Sequence, residues 1–215
     1  MPEHRPWFDH ASPAGVVRYA VGMVEEYLES LPHGISSYPL VRSKMAGLNA
    51  LVSGYEDEIA EAVPPEVRAI LRNPPPLSSW VTEVEAQCAL IALRQNVFRD
   101  DDAYVSHARI RGRRVMEGPL YRAVFRVFSS SRVARLTQSA WGLFHKGTTN
   151  KVIESHSTHI VVRMHHPRHI FLPFVMRGFL CAGEEALKIG GAKGVRSAVV
   201  SMEATSSLAR LEWGS

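Results

Sequence analysis

A chain of 215 residues with 46% apolar and 21% charged residues has the composition of an ordinary folded protein, and nothing in it reads as an interdomain linker, so one domain over 1–215 is expected. The first ten residues are polar, contain two prolines and lack the apolar run of a secretory signal, while the most apolar region, near 170–180, is interrupted by Arg168 and Arg177. Export and membrane insertion are therefore not expected, a cytoplasmic location is, and the net charge of +4 is modest though unevenly placed.

In chain order, Ser12 followed by Pro13 starts a helix, with Val16, Ala20, Met23, Val24, Tyr27 and Leu31 on one stripe that Pro32 and Gly34 close. A second helix is predicted from Pro39 through Met45 and Val52 to Gly54. The stretch 56–71 contains Pro64 and Pro65 and reads as two short helices. Three prolines at 74–76 enforce an extended break, after which Ser78 or Ser79 is expected to cap a helix beginning at Trp80. The acidic triplet Asp100, Asp101 and Asp102 reads as the N-terminal cap of the next helix. Further helices are expected from Gly118 and Pro119 to Phe128, and from the serines at 129–131 to Gly147.

The C-terminal stretch changes period. Residues 152–164 alternate as one long strand or a hairpin, Pro173–Ile189 reads as a helix ended by Gly190 and Gly191, and 195–203 and 207–213 supply two more strands. In the last of these, Ala209, Leu211 and Trp213 share a face. The expected fold class is α+β: a helical N-terminal two-thirds (12–147) followed by a small antiparallel sheet of ββαββ order (150–214).

Helices first, then two strands, a crossover helix with Pro173, Gly178 and the Gly190–Gly191 pair, and two closing strands: over residues 40–215 this order resembles the superfamily that includes heme nitric-oxide/oxygen-binding domains, vinyl-reductase-type ligand-binding domains and Bet3-like vesicle-tethering subunits. Ser79 with Trp80, Tyr121 with Arg122, Trp141 with Gly142, and Leu211, Glu212 and Trp213 look closest to a paralogous family of myxobacterial proteins. The resemblance implies a sensor or binding module. Heme-binding relatives place Tyr-x-Ser-x-Arg just before the crossover helix, where this chain has Met164, His165, His166, Pro167 and Arg168 and keeps the arginine alone. Their axial histidine lies on a helix farther upstream than the nearest histidine here, His145. No heme or other cofactor is therefore expected. The cysteine-containing metal site of vinyl-reductase-type relatives is not expected either, since Cys181 is the one cysteine of this half.

Cys88 and Cys181 read as buried free thiols. His156, His159, His165, His166 and His169 form the densest histidine cluster, but His159 and His165 on one strand lie about 20 Å apart at roughly 3.3 Å per residue. The cluster is read as a solvated strand edge and loop, with no metal. Between Arg94 and Arg135 ten arginines face four acidic residues, a belt suited to an acidic partner, with Arg109, Arg113, Arg122 and Arg126 as its partner-binding members and nucleic acid ranked behind. No nucleophile elbow, zinc-protease helix or phosphate loop is present. The leading expectation is a non-enzymatic regulatory or sensor module that binds a small apolar or anionic ligand, or a protein partner, with Trp141, Phe144, His145, His166 and Arg168 at its pocket. The alternative is a structural adaptor in a homodimer or other oligomer.

Overall fold

The structure is a computed structural model and describes residues 22–117 and 141–214. It is α+β, with helices concentrated before the C-terminal sheet. Helix α1 (Met23–Ser30) stops at Leu31, ahead of Pro32. The expected start at Ser12 and most of the helices expected between 118 and 147 lie outside the described residues, apart from a helical end at 141–144.

Two expected helices begin later than their signals suggest. The stretch after Pro39 first forms strand β1 (Arg42–Lys44) and only then helix α2 (Met45–Val52), and the stretch at Trp80 first forms strand β2 (Trp80–Thr82). The cause is pairing between the two segments: Arg42 lies opposite Thr82, Ser43 opposite Val81 and Lys44 opposite Trp80. The pairing also supplies the helix starts with acceptors, since Met45 N–H donates to Ser79 O and Ala46 N–H to Leu77 O at 3.0 and 3.1 Å. Strand β3 (His145–Lys146) adds to the other side of β1, giving the order β2-β1-β3. Lys44 and Lys146 both stand over the Trp80 ring, each 4.3 Å from its centroid.

Helices α3 (Glu56–Ala60) and α4 (Pro65–Arg72) are the two short pieces that the proline pair dictates. Helix α5 (Glu83–Asn96) is capped by Thr82, whose hydroxyl accepts from Glu85 N–H while the Glu85 carboxylate accepts from Thr82 N–H. From Glu83 to Arg94 nearly every residue of α5 is buried, so it is the axis around which the other N-terminal helices pack. Helix α6 (Asp101–Met116) starts at Asp100, whose side chain accepts from Ala103 N–H. Asp101 pairs with Arg94 and Asp102 with Arg177, so the triplet caps and anchors.

The hairpin β4 (Thr149–Ser155) and β5 (His159–His165), helix α7 (Pro173–Ile189), and strands β6 (Lys193–Met202) and β7 (Ser206–Gly214) build an antiparallel sheet in the order β4-β5-β7-β6. Strands β5 and β6 thus run parallel on either side of β7, joined through α7. Alternation along β7 buries Ser207, Ala209, Leu211 and Trp213 and exposes Arg210 and Glu212. Helix α7 packs on α6 at small residues: a Cβ on Gly178 would stand 3.2 Å from the Tyr104 ring, which is why glycine occupies that crossing. Among the described residues, no helix is long and apolar enough to cross a membrane.

Candidate functional site

Where the helical half meets the sheet, packing is incomplete. The small side chains that let α6 and α7 approach, Ala108 and Gly112 on one and Gly178, Ala182 and Gly183 on the other, fill little of the space beside them. Their neighbours Gly47, Leu48 and Leu51 on α2, Ala86 and Leu90 on α5, and Val162, Met164, Ala209 and Leu211 on the sheet close the walls. The result is a cavity of about 230 Å³ with an almost wholly apolar lining. An apolar cavity with a few convergent polar groups is the default candidate for a binding site.

The polar groups sit at one end. Glu83 is 1% exposed; one carboxylate oxygen accepts from Gln87 Nε2 at 2.9 Å and the other bonds His145 Nδ1 at 3.0 Å. In the tautomer whose Nδ1–H donates to Glu83, Nε2 of the ring is an acceptor. The indole of Trp141 lies flat on that ring, centroids 3.9 Å apart and planes 12° apart, while its Nε1–H donates to Thr148 Oγ1. The Phe179 ring meets both edge-on, at 5.5 and 5.2 Å. Gly147, at φ +76°, lets the chain turn away after His145, because a Cβ there would stand 2.9 Å from Leu40 O and Val41 Cα. Across the cavity, Asn150 Oδ1 is buried and has no hydrogen-bond partner among the described residues.

Of the residues singled out in the sequence, Trp141, Phe144 and His145 line this cavity. His166 does not: it is buried behind the wall, with Nδ1 bonded to Pro167 O and Nε2 to the hydroxyl of Ser207. Burial holds its ring below the ordinary imidazole value despite the Pro167 carbonyl, and His165 adds to the lowering. Arg168 is exposed on the turn after β5 and lies outside the lining. Glu83 and Asn150 escaped notice. Glu83 had a signal, since it shares a helical face with Ala86 and Leu90, where a carboxylate interrupts an apolar stripe. Asn150 had none.

The arginine belt is partly used within the fold. Arg109 pairs with the buried Glu184 at 3.1 Å and Arg113 with Glu117 at 2.9 Å, and Arg111 donates to Ser53 O. Arg122 and Arg126 lie outside the described residues. Cys88 and Cys181 are free and buried; burial pushes the Cys88 thiol up to about 12 and raises that of Cys181. The hairpin turn brings His156 and His159 together, their rings stacked at 4.4 Å.

No protein-family model and no curated protein matches the chain, so neither comparison by sequence supports the narrower likeness to a myxobacterial family. Solved structures do match. An Fe(II) unliganded H-NOX protein from K. algicida is 9% identical with a TM-score of 0.56, covering 79% of this chain and 94% of that one. An oxygen-binding H-NOX domain related to soluble guanylate cyclases is 11% identical at TM-score 0.53, covering 79% and 92%. A variant of T. tengcongensis H-NOX is 11% identical at 0.54, covering 79% and 94%. The shared property is the H-NOX fold.

The heme that this fold group implies does not fit the donors present. Between His107 and His145 the sequence contains no histidine, and His107 Nε2 is bonded to Leu51 O, which leaves His145 as the histidine of the cavity wall. Its ring is clamped between Trp141 and Glu83. Of the five positions before α7, Met164 is an apolar wall residue, His166 has both nitrogens engaged and Arg168 stands outside. The volume of about 230 Å³ also falls below the roughly 300–1,000 Å³ of pockets that enclose drug-sized ligands, and a porphyrin is a large member of that class.

Proposed function

We propose that the chain is a non-enzymatic sensor module that binds a small, mostly apolar molecule carrying a hydrogen-bond donor, and that it does so in the α5–α6–α7–sheet cavity. The observation that carries this reading is the pairing of an apolar cavity with two acceptors: Asn150 Oδ1, which has no hydrogen-bond partner among the described residues, and the remaining nitrogen of His145 in the tautomer whose Nδ1–H bonds Glu83. Both call for an N–H or O–H group on the ligand. An anion would bring further acceptors beside Glu83, and the one cation foreseen for it, Arg168, is outside the lining. An engineered cavity of about 150 Å³ takes up benzene, so the site suits a ligand larger than benzene and smaller than a porphyrin. Because the walls come from α2 and α5 as well as from the sheet, occupancy favours one relation of the two halves over others, and a bias of about 1–3 kcal/mol suffices for signalling.

The test begins with native mass spectrometry and an absorbance spectrum of the protein from its own host, followed by titration with indole, an apolar ring system with one N–H. The expected result is no Soret band, a bound mass below that of heme or a bare chain that takes up indole, and at least about tenfold weaker uptake in Ala209→Leu, which fills the cavity. One heme per chain, or indole affinity unchanged by Ala209→Leu, overturns the reading. A dimer that binds no small molecule favours the adaptor instead.

A further inference from the structure

At the far end of the sheet from the cavity wall residue Asn150, the β4–β5 hairpin carries a second assembly. The first four pairs keep a constant register, from Thr149 opposite His165 to Val152 opposite Val162. The register then shifts by one, so that Glu154 lies opposite Val161 and Ser155 opposite Ile160. The extra residue is Ile153. Before this bulge the even-numbered residues of β4 share a face with Val162 and Met164, toward the interior; after it, Glu154 and His156 lie on the outer face with His159 and Val161. Without the bulge, His156 and His159 would not stand opposite one another.

The turn itself completes the arrangement. His156 N–H donates to His159 O at 2.8 Å across the two residues Ser157 and Thr158, and Thr158 O accepts from Trp213 N–H at 2.8 Å, which ties the hairpin tip to β7. One ligand atom from each of Glu154, His156 and His159 lies within 4.8 Å of the other two. In a tetrahedral site with bonds near 2.0–2.1 Å, donors stand roughly 3.3 Å apart, a contraction that rotation of these side chains supplies. The stacked rings point their lone pairs along nearly parallel planes, so each ring must turn about its Cβ–Cγ bond to converge. Glu154 and His156 are exposed and His159 half-buried, which leaves them room to do so.

We propose that Glu154, His156 and His159 form a site for a divalent first-row transition-metal ion. Two imidazoles and one carboxylate suit Zn(II), Co(II), Ni(II) or Cu(II), and three protein ligands leave at least one position for water. Glu212, opposite His159 on β7, is held by Arg210 at 2.5 Å and is not one of the three. The carboxylate of Glu154 thus has the charge role to itself. The site does not depend on what the cavity binds.

Isothermal titration of the full chain with Zn(II), and the visible absorption of its Co(II) form, test the site. One ion per chain is expected, with at least about tenfold weaker binding in His156→Ala and in His159→Ala, a smaller loss in Glu154→Gln, and none in His165→Ala, a histidine farther along the same strand. Circular dichroism of the metal-free variants should match the wild type, since these side chains are on the surface. Absence of binding, binding retained in the His156→Ala/His159→Ala double variant, or one ion shared by two chains overturns the proposal.

Discussion

The chain carries two assemblies of carboxylate and imidazole groups, one histidine in the first and two in the second, in opposite surroundings. Glu83 and His145 are buried, fixed by Gln87, Trp141 and Phe179, and face a cavity; Glu154, His156 and His159 stand in or near solvent on a hairpin tip. Burial decides what each can do. A carboxylate–imidazole pair inside a protein cannot rearrange without leaving donors unpaired, so it presents a fixed hydrogen-bonding pattern to whatever enters. The same groups outside lose little by turning, and can close around an ion.

The sharpest way to break this contrast is Glu83→Ala. It removes the acceptor of both His145 Nδ1–H and Gln87 Nε2–H in the interior, and should cost about 3 kcal/mol or more in urea denaturation. A loss below about 1 kcal/mol would mean that the pair tolerates water and is not rigid.

A smaller effect should appear with pH. Burial lowers the titration of His166 and of His107 below the ordinary value of 6.5, opposed in each case by a backbone carbonyl, from Pro167 and Leu51, and reinforced by His165 for the first and by Arg111 and Arg114 for the second. The folded state therefore holds these rings neutral while the unfolded chain takes up protons first. Their contribution is complete above pH 6.5 and is lost as the pH falls below it. Melting temperature should drop on acidification from about pH 7.5 to about 5.5, and His166→Gln should flatten that slope. An equal slope in both proteins would assign the loss to other groups.

Least affected should be the stability of His159→Ala, which in the absence of metal should stay within about 0.5 kcal/mol of wild type. A larger loss in urea denaturation would show the hairpin histidines to be structural.

Legibility followed locality. The ββαββ unit could be read because its signals are contained within each segment: Pro173 opens α7, Gly190 and Gly191 close it, and the alternation of Ala209, Leu211 and Trp213 needs no partner to be seen. Strands β1 and β2 could not, since three residues such as Arg42, Ser43 and Lys44 carry no period, and only pairing with a segment almost forty positions away makes them extended. Trp141 and His145 stood out as chemistry-bearing residues near the sheet. Their partner Glu83 interrupts the apolar stripe of α5 but bonds a histidine 62 positions away, and the meaning of Asn150 depends wholly on what fails to reach it. The Glu154–His156–His159 grouping turned on a one-residue register shift that no spacing rule announces.

Strand β7, seventh in chain order, is not at the edge of its sheet but in the middle, between β5 and β6. During synthesis the segments of β4, β5 and β6 are therefore made before the strand that unites them; until Ser206–Gly214 arrives, β5 lacks its second partner and the β6 segment has none. Nascent or truncated chains in that interval hold two open templates for strand addition, and a chaperone or a neighbouring copy has its opportunity there.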